Sequence, residues 1–131
     1  MDFRPNTPKG FMSAVFCSMA LPCMLCPGWV IKLGFTEKMQ PRDEHEAART
    51  ELMMRCFGSQ AMLSGIAMSV GEWKPVAYKV WIGGILPFFV FDFVAWKKGY
   101  INSLGAVFDA IGNVIFVTCS LLALVNDGKQ E

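Results

Sequence analysis

The sequence predicts an all-α fold, a four-helix transmembrane bundle formed by a single multi-pass domain over residues 1–131. Three observations carry that expectation. Charged residues make up only 18% of the chain and hydrophobic residues 53%, where an ordinary soluble domain has about 25% charged. The hydrophobic residues are gathered into long blocks without charge, not spread with the short periods of a half-buried strand or a soluble helix. Proline, glycine and charged residues punctuate these blocks at intervals that suit the roughly 20 residues a helix needs to cross a hydrocarbon core about 30 Å thick.

The first expected span covers about residues 10–31. Nothing between Lys9 and Lys32 is charged, and Pro22 and Pro27 within the block predict a kink or an early helix end. Arg4 and Lys9 ahead of the block, with Ser18-Met19-Ala20 inside it, also fit the outline of a cleavable secretory signal, the alternative to a retained span. A hydrophilic connection over residues 32–51 follows.

The second span covers about residues 52–71. Its uncharged part, Cys56 to Gly71, is short for a crossing, so its helix is expected to begin outside the membrane. Pro41 and Asp43 supply the start signal, and Glu51 and Arg55 form a favourable i,i+4 pair. The third span, about 76–96, is opened by Pro75 and closed by Lys97, Lys98 and Gly99. The fourth, about 104–125, is stopped by Asn126, Asp127 and Gly128. Trp29, Trp73, Trp81 and Trp96 fall near the expected ends, where indole rings favour the membrane interface.

Four crossings put the tails and the loop at residues 72–79 on one side, with Arg4, Lys9, Lys74, Lys79 and Lys129. The other side holds Lys32, Lys38, Arg42, Arg49, Arg55, Lys97 and Lys98. Seven against five points to the second side as cytoplasmic or its organellar equivalent.

Composition also removes function classes. The formal net charge is +1 with no basic run, so no nucleic-acid partner is expected. The five cysteines are odd in number and all lie in apolar segments, which argues against a secreted disulfide framework. His45 is the only histidine and there is one C-x-x-C, so no four-ligand zinc site can be assembled and no metal or cofactor is expected. No P-loop, dinucleotide fingerprint or Ser/His/Asp arrangement is present, and no catalytic residue is assigned.

The polar residues inside the apolar blocks are the candidate site. A charge at the centre of a membrane helix costs about 2.5–3.5 kcal/mol on insertion scales, so it needs a partner, water or a purpose. Asp92 lies near the end of span three and Asp109 near the start of span four; antiparallel helices joined by a short loop bring them to similar depth. Arg55 opens span two on the same side. An intramembrane polar cluster of Arg55, Asp92, Asp109 and Asn113 is therefore expected one to two turns inside one interface.

Along span four, Gly105, Asp109, Gly112, Asn113, Phe116 and Ser120 share one helical face, and Ala61, Gly65 and Ser69 form a similar seam in span two. Both are suited to close packing against protein. The cluster reads either as a structural ion network that fixes helix register or as a site where a carboxylate carries a proton or a substrate cation; snorkelling to the surface is the third reading. Cys23 and Cys26, flanked by Pro22 and Pro27, form a thiol pair with spacing suited to disulfide exchange or a soft metal, or two buried inert cysteines. Met53-Met54 beside Cys56 reads as apolar packing before soft-metal traffic.

The opening of span two, Met54-Arg55-Cys56-Phe57-Gly58 with Gly65, resembles the Arg-x-x-Gly start of a helix in DoxX-like and related uncharacterised small four-helix membrane proteins. Pro87, Phe91 and Asp92, with Gly105, Asp109, Gly112 and Asn113, extend the resemblance over about the last 80 residues. It implies a four-helix membrane bundle and, for some relatives, service as accessory subunits of membrane redox systems or in assembly of other membrane proteins. The C-x-x-C and the charged stretch from Glu37 to Glu51 have no counterpart in it.

The expected function is thus a non-catalytic accessory, assembly or structural subunit, with the lipid bilayer and other membrane subunits or a second copy as partners. The alternatives are a small ion-coupled carrier using Asp92, Asp109 and Arg55, and a membrane thiol redox protein using Cys23 and Cys26.

Overall fold

The computed structural model describes residues 6–127. Among them run five α-helices: α1 (Pro8–Leu25), α2 (Pro27–Gly34), α3 (Glu44–Val70), α4 (Pro75–Lys97) and α5 (Ser103–Asp127). A 3₁₀ turn at Glu37–Met39 precedes α3.

Helix starts are set by local chemistry. The Thr7 side chain accepts the Gly10 amide and Pro8 follows it in the first turn of α1. Asp43 accepts the Glu46 amide at 2.8 Å, and the Glu46 carboxylate reaches back to the Arg42 amide at 2.9 Å, a reciprocal arrangement close to a capping box. Asn102 accepts the Gly105 amide at 2.8 Å and opens α5. Gly99, at φ 67°, takes the left-handed conformation that ends α4, with its amide on Trp96 and that of Tyr100 on Ala95.

The first apolar block is two helices, not one span to residue 31. Cys26 sits at φ −132°, ψ 52°, outside the helical region, because the ring of Pro27 crowds the residue before it. The missing amide of Pro27 then costs nothing at the first position of α2. Pro22 by contrast stays inside α1, and its carbonyl takes the Cys26 amide at 2.8 Å.

Three helices, α1, α4 and α5, are long and apolar enough to cross a membrane. The longest, α3 at 27 residues, extends about 40 Å, but its first half carries Glu44, His45, Glu46, Arg49, Glu51 and Arg55. Only about 22 Å of it, from Cys56 onward, is free of charge.

Helix α1 is the hub. It packs on α3 along one face and on α5 along another, while α4 lies against α5. Among the described residues, no close backbone approach joins α3 to α4 or α5. The α1–α3 contact is the most extensive: a side chain at Gly58 would meet Ala20, Cys23 and Met24, and one at Gly65 would meet Ser13, Phe16 and Cys17. The Ser13 hydroxyl donates to the Gly65 carbonyl across this seam.

Both termini of the bundle are tied. At the end where α1 starts and α3 finishes, here the tail end, Lys9 donates to the Gly71 carbonyl at 2.8 Å. At the opposite, loop end, residues 33–36 and 99–102 form a clasp. Phe35 and Ile101 make an isolated antiparallel bridge, and the Thr36 hydroxyl donates to Gly99. Asn102 donates to Gly34 through its backbone at 3.0 Å and to Leu33 through its side chain at 2.7 Å. Gly105 lies directly on the Gly34 carbonyl, with no room for a side chain.

The core lies toward the tail end, built from Met12, Met68, Ile85, Phe116 and Cys119. Phe16 stacks on Phe116 with centroids 4.2 Å apart and meets Trp81 edge-on; Trp73 in turn packs on Trp81 and Tyr78. Of the four tryptophans expected at interfaces, Trp29 and Trp96 are exposed at the loop end. Trp73 and Trp81 instead turn inward, because the rings of Phe16 and Tyr78 offer them aromatic packing at that depth.

Candidate polar site in the α4–α5 seam

Helix α4 meets the rest of the protein by one stripe. Tyr78, Ile85 and Asp92 recur every seven residues and, with Ala95, are its buried positions. Asp92 is therefore placed in the seam by the same periodicity that places Ile85. It lies about 8 Å along the axis from the loop end of α4, and Asp109 about 9 Å from the loop end of α5.

The two helices bring Asp92, Asp109 and Asn113 together. The Asn113 amide donates to Asp92 Oδ2 at 3.0 Å, both side chains being buried. Asp109, one turn before Asn113 on the same face of α5, lies close enough for its carboxyl group to interact with that of Asp92. Asp92 Oδ1 is buried and has no hydrogen-bond donor among the described residues. Asp109 itself is half-buried.

Arg55 does not join them. Its guanidinium is exposed and sits 3.5 Å from Glu51, one turn back on α3. The physical reason is the glycine seam: Gly58 and Gly65 draw α3 onto α1, away from the α4–α5 hairpin. The expected cluster of four is thus a group of three, with Arg55 an exposed partner of Glu51. Arg55→Ala is accordingly expected to change stability by no more than about 0.5 kcal/mol, the range of exposed i,i+4 pairs, in a reversible unfolding titration in detergent micelles.

The packing stripe of α5 is buried as a unit. Gly112 packs against Met19, Phe116 lies in the core, and the Ser120 hydroxyl meets the Met12 sulfur at 3.8 Å. In α3, Gly65 and Ser69 are buried and Ala61 half-buried. Gly58 extends that seam toward the loop end and was readable only as part of the Arg-x-x-Gly pattern.

Cys23 and Cys26 sit in different surroundings. Cys23 is buried against Gly58 and donates to the Met19 carbonyl, whereas Cys26 occupies the exposed break between α1 and α2. All five cysteines are free thiols. Cys26 is expected to react readily with a small maleimide and Cys23 only on unfolding; mass spectrometry after timed labelling reads both, and equal rates would contradict the packing of Cys23 on Gly58. Among the described residues, no three His, Cys, Asp or Glu side chains are grouped to hold a metal ion.

Two clefts open at the surface. One is lined by Lys9, Glu72, Trp73 and Tyr78 at the tail end, the other by Trp29, Lys32, Glu37 and Glu51 at the loop end; neither lining includes Asp92 or Asp109. No family model, curated protein or solved structure matches the chain.

Proposed function

We propose that the chain is a multi-pass integral membrane protein whose α1, α3, α4 and α5 cross the bilayer as a four-helix bundle, and that it acts as a non-catalytic accessory, assembly or structural subunit of a membrane complex. The observation that carries this reading is the outer surface of α4. Phe88, Val90, Phe91, Phe93 and Trp96 are all exposed, and only α5 packs closely along the helix. A helix held by one narrow stripe has most of its surface free for lipid or another transmembrane helix.

Two features support α3 as the fourth crossing. Its glycine seam lies flush on α1 for about two turns, from Gly58 to Gly65, and its uncharged part, though short, ends at Arg55 and Glu51, whose long side chains can reach outward to the interface. The resemblance of the last 80 residues to DoxX-like proteins points the same way. The cationic loop end favours a cytoplasmic or equivalent orientation for Lys32, Lys38, Lys97 and Lys98.

The experiment is extraction of the full chain from its native membrane in a mild detergent, followed by sizing and identification of the chains that travel with it. A defined complex, with another subunit or a second copy, is the result expected. A lone monomer at every detergent concentration tested would remove the subunit reading.

The carrier reading keeps one observation in its favour, the unpartnered Asp92 Oδ1. It requires water to reach Asp92 and Asp109, so reconstituted vesicles should show an ion or proton flux that Asp92→Asn abolishes.

A further inference from the structure

A buried carboxylate needs donors or a counter-charge, and Asp92 has one donor for two oxygens. It is 5% exposed, Oδ2 takes the Asn113 amide, and Oδ1 is left without a donor among the described residues. Asp109 adds a second carboxyl group beside it. The two carboxyl groups interact with each other and can share one proton, which still leaves a negative charge on the pair. Among the described residues no ion pair reaches either, Arg55 is occupied by Glu51 on another helix, and Lys97 and Lys98 are exposed at the loop end.

The direction from which an answer could come is also set by the fold. Helices α1 and α2 cover α5 on one side and α4 covers it on another. Asp109 remains half-exposed between Val107, Phe108 and Ile111, which are exposed, and across the seam α4 presents exposed Phe88 and Phe91. Asp109, not the buried Asp92, is therefore the member of the pair that reaches the surface, among apolar neighbours on α5 that suit a helix in lipid.

We propose that the α4–α5 seam at Asp92 and Asp109 docks a transmembrane helix of a partner protein through a lysine or arginine on that helix. This rests on the subunit reading above and adds the chemistry of the contact. A long basic side chain on a neighbouring helix can lie along the apolar face and place its charge at the seam, while its stem covers Phe108 or Phe91. A negative charge left on the pair at depth is costly, so a cation entering the seam answers it and offsets its own desolvation together. The depth of the acids, one to two turns from the loop end, fixes the depth at which the basic residue must sit.

The test uses the full chain in phosphatidylcholine vesicles, with a fluorescent donor at the loop end. Acceptor-labelled synthetic transmembrane peptides are leucine-rich helices of about 20 residues carrying one lysine at the loop-end depth, at the bilayer centre or at the tail-end depth, or no lysine. Interhelical polar contacts in membranes contribute about 1–2 kcal/mol, so the peptide with lysine at the loop-end depth is expected to associate about tenfold more tightly than the all-leucine peptide. The Asp92→Asn/Asp109→Asn double variant should lose that advantage while keeping the Asn113 contact and native helicity. Should the double variant fold poorly, Asp109→Asn alone, at the half-buried position, is expected to remove most of it.

Equal association of lysine and leucine peptides, no dependence on lysine depth, or binding unchanged in the asparagine variants would each overturn the proposal. Its failure is separable from that of the subunit reading. A native complex that survives the double variant leaves the subunit role standing without the ionic contact. Asp-dependent peptide binding by a chain that extracts only as a monomer keeps the docking chemistry and removes the subunit role.

Discussion

Replacing Gly105 by alanine is expected to destabilise the protein by about 3 kcal/mol and to loosen the loop end. A methyl group at this position would overlap the Gly34 carbonyl, a backbone atom that no rotamer change can move aside. Overpacking of this kind costs about 1–3 kcal/mol. The separation it forces also strains the two hydrogen bonds that Asn102 makes to Gly34 and Leu33, each contributing about 0.5–1.5 kcal/mol. Reversible unfolding in mixed micelles measures the loss, and hydrogen exchange should show faster exchange at the Thr36 and Asn102 amides. A neutral Gly105→Ala would contradict the close approach of α5 to α2.

Gly65→Leu is the second large effect, expected to reach about 3 kcal/mol or more. Ser13, Phe16 and Cys17 stand around the missing side chain, with the Cys17 sulfur only 2.6 Å from where a Cβ would lie. Four extra heavy atoms push α3 off α1 and break the Ser13 contact to the Gly65 carbonyl. The contrast is Gly84→Ala in α4, where nothing lies within 4 Å and alanine is the better helix former. That substitution is expected to be neutral or to stabilise by up to about 1 kcal/mol. If Gly65→Leu and Gly84→Ala behave alike, the α1–α3 seam is not where the packing is tight.

What could be read from the sequence follows from how local the cause is. Pro75 and the Lys97-Lys98-Gly99 run bound α4 because capping and breaking act over one or two residues. The start of α3 at Asp43 was legible for the same reason. The break at Cys26 was half legible: Pro27 marks an early end, but the eight-residue helix after it depends on packing against α3 and α5.

The three-residue group in the α4–α5 seam was accessible because Asp92 and Asp109 are joined by one short turn, so antiparallel geometry alone sets their relative depth. Arg55 was misplaced because depth does not determine direction. It shares the loop end with the acids, yet which helix α3 packs against is decided by Gly58 and Gly65 at long range. The clasp between residues 33–36 and 99–102 left no pattern to read, since every acceptor in it is a backbone carbonyl. Trp81 could not be told from an interfacial tryptophan without knowing that Phe16 meets it edge-on and that it packs against the core.

Cysteine accessibility in sealed membrane vesicles of known orientation tests whether α3 crosses the bilayer together with α1, α4 and α5. In a chain cleared of its five cysteines, single cysteines at Asn6, Lys38, Glu72, Lys98 and Asn126 are labelled with a membrane-impermeant maleimide before and after permeabilisation. Four crossings predict that Asn6, Glu72 and Asn126 report one side and Lys38 and Lys98 the other. If Glu72 labels from the same side as Lys38, with Asn126 opposite Asn6, then α3 does not cross and the four-crossing topology is contradicted.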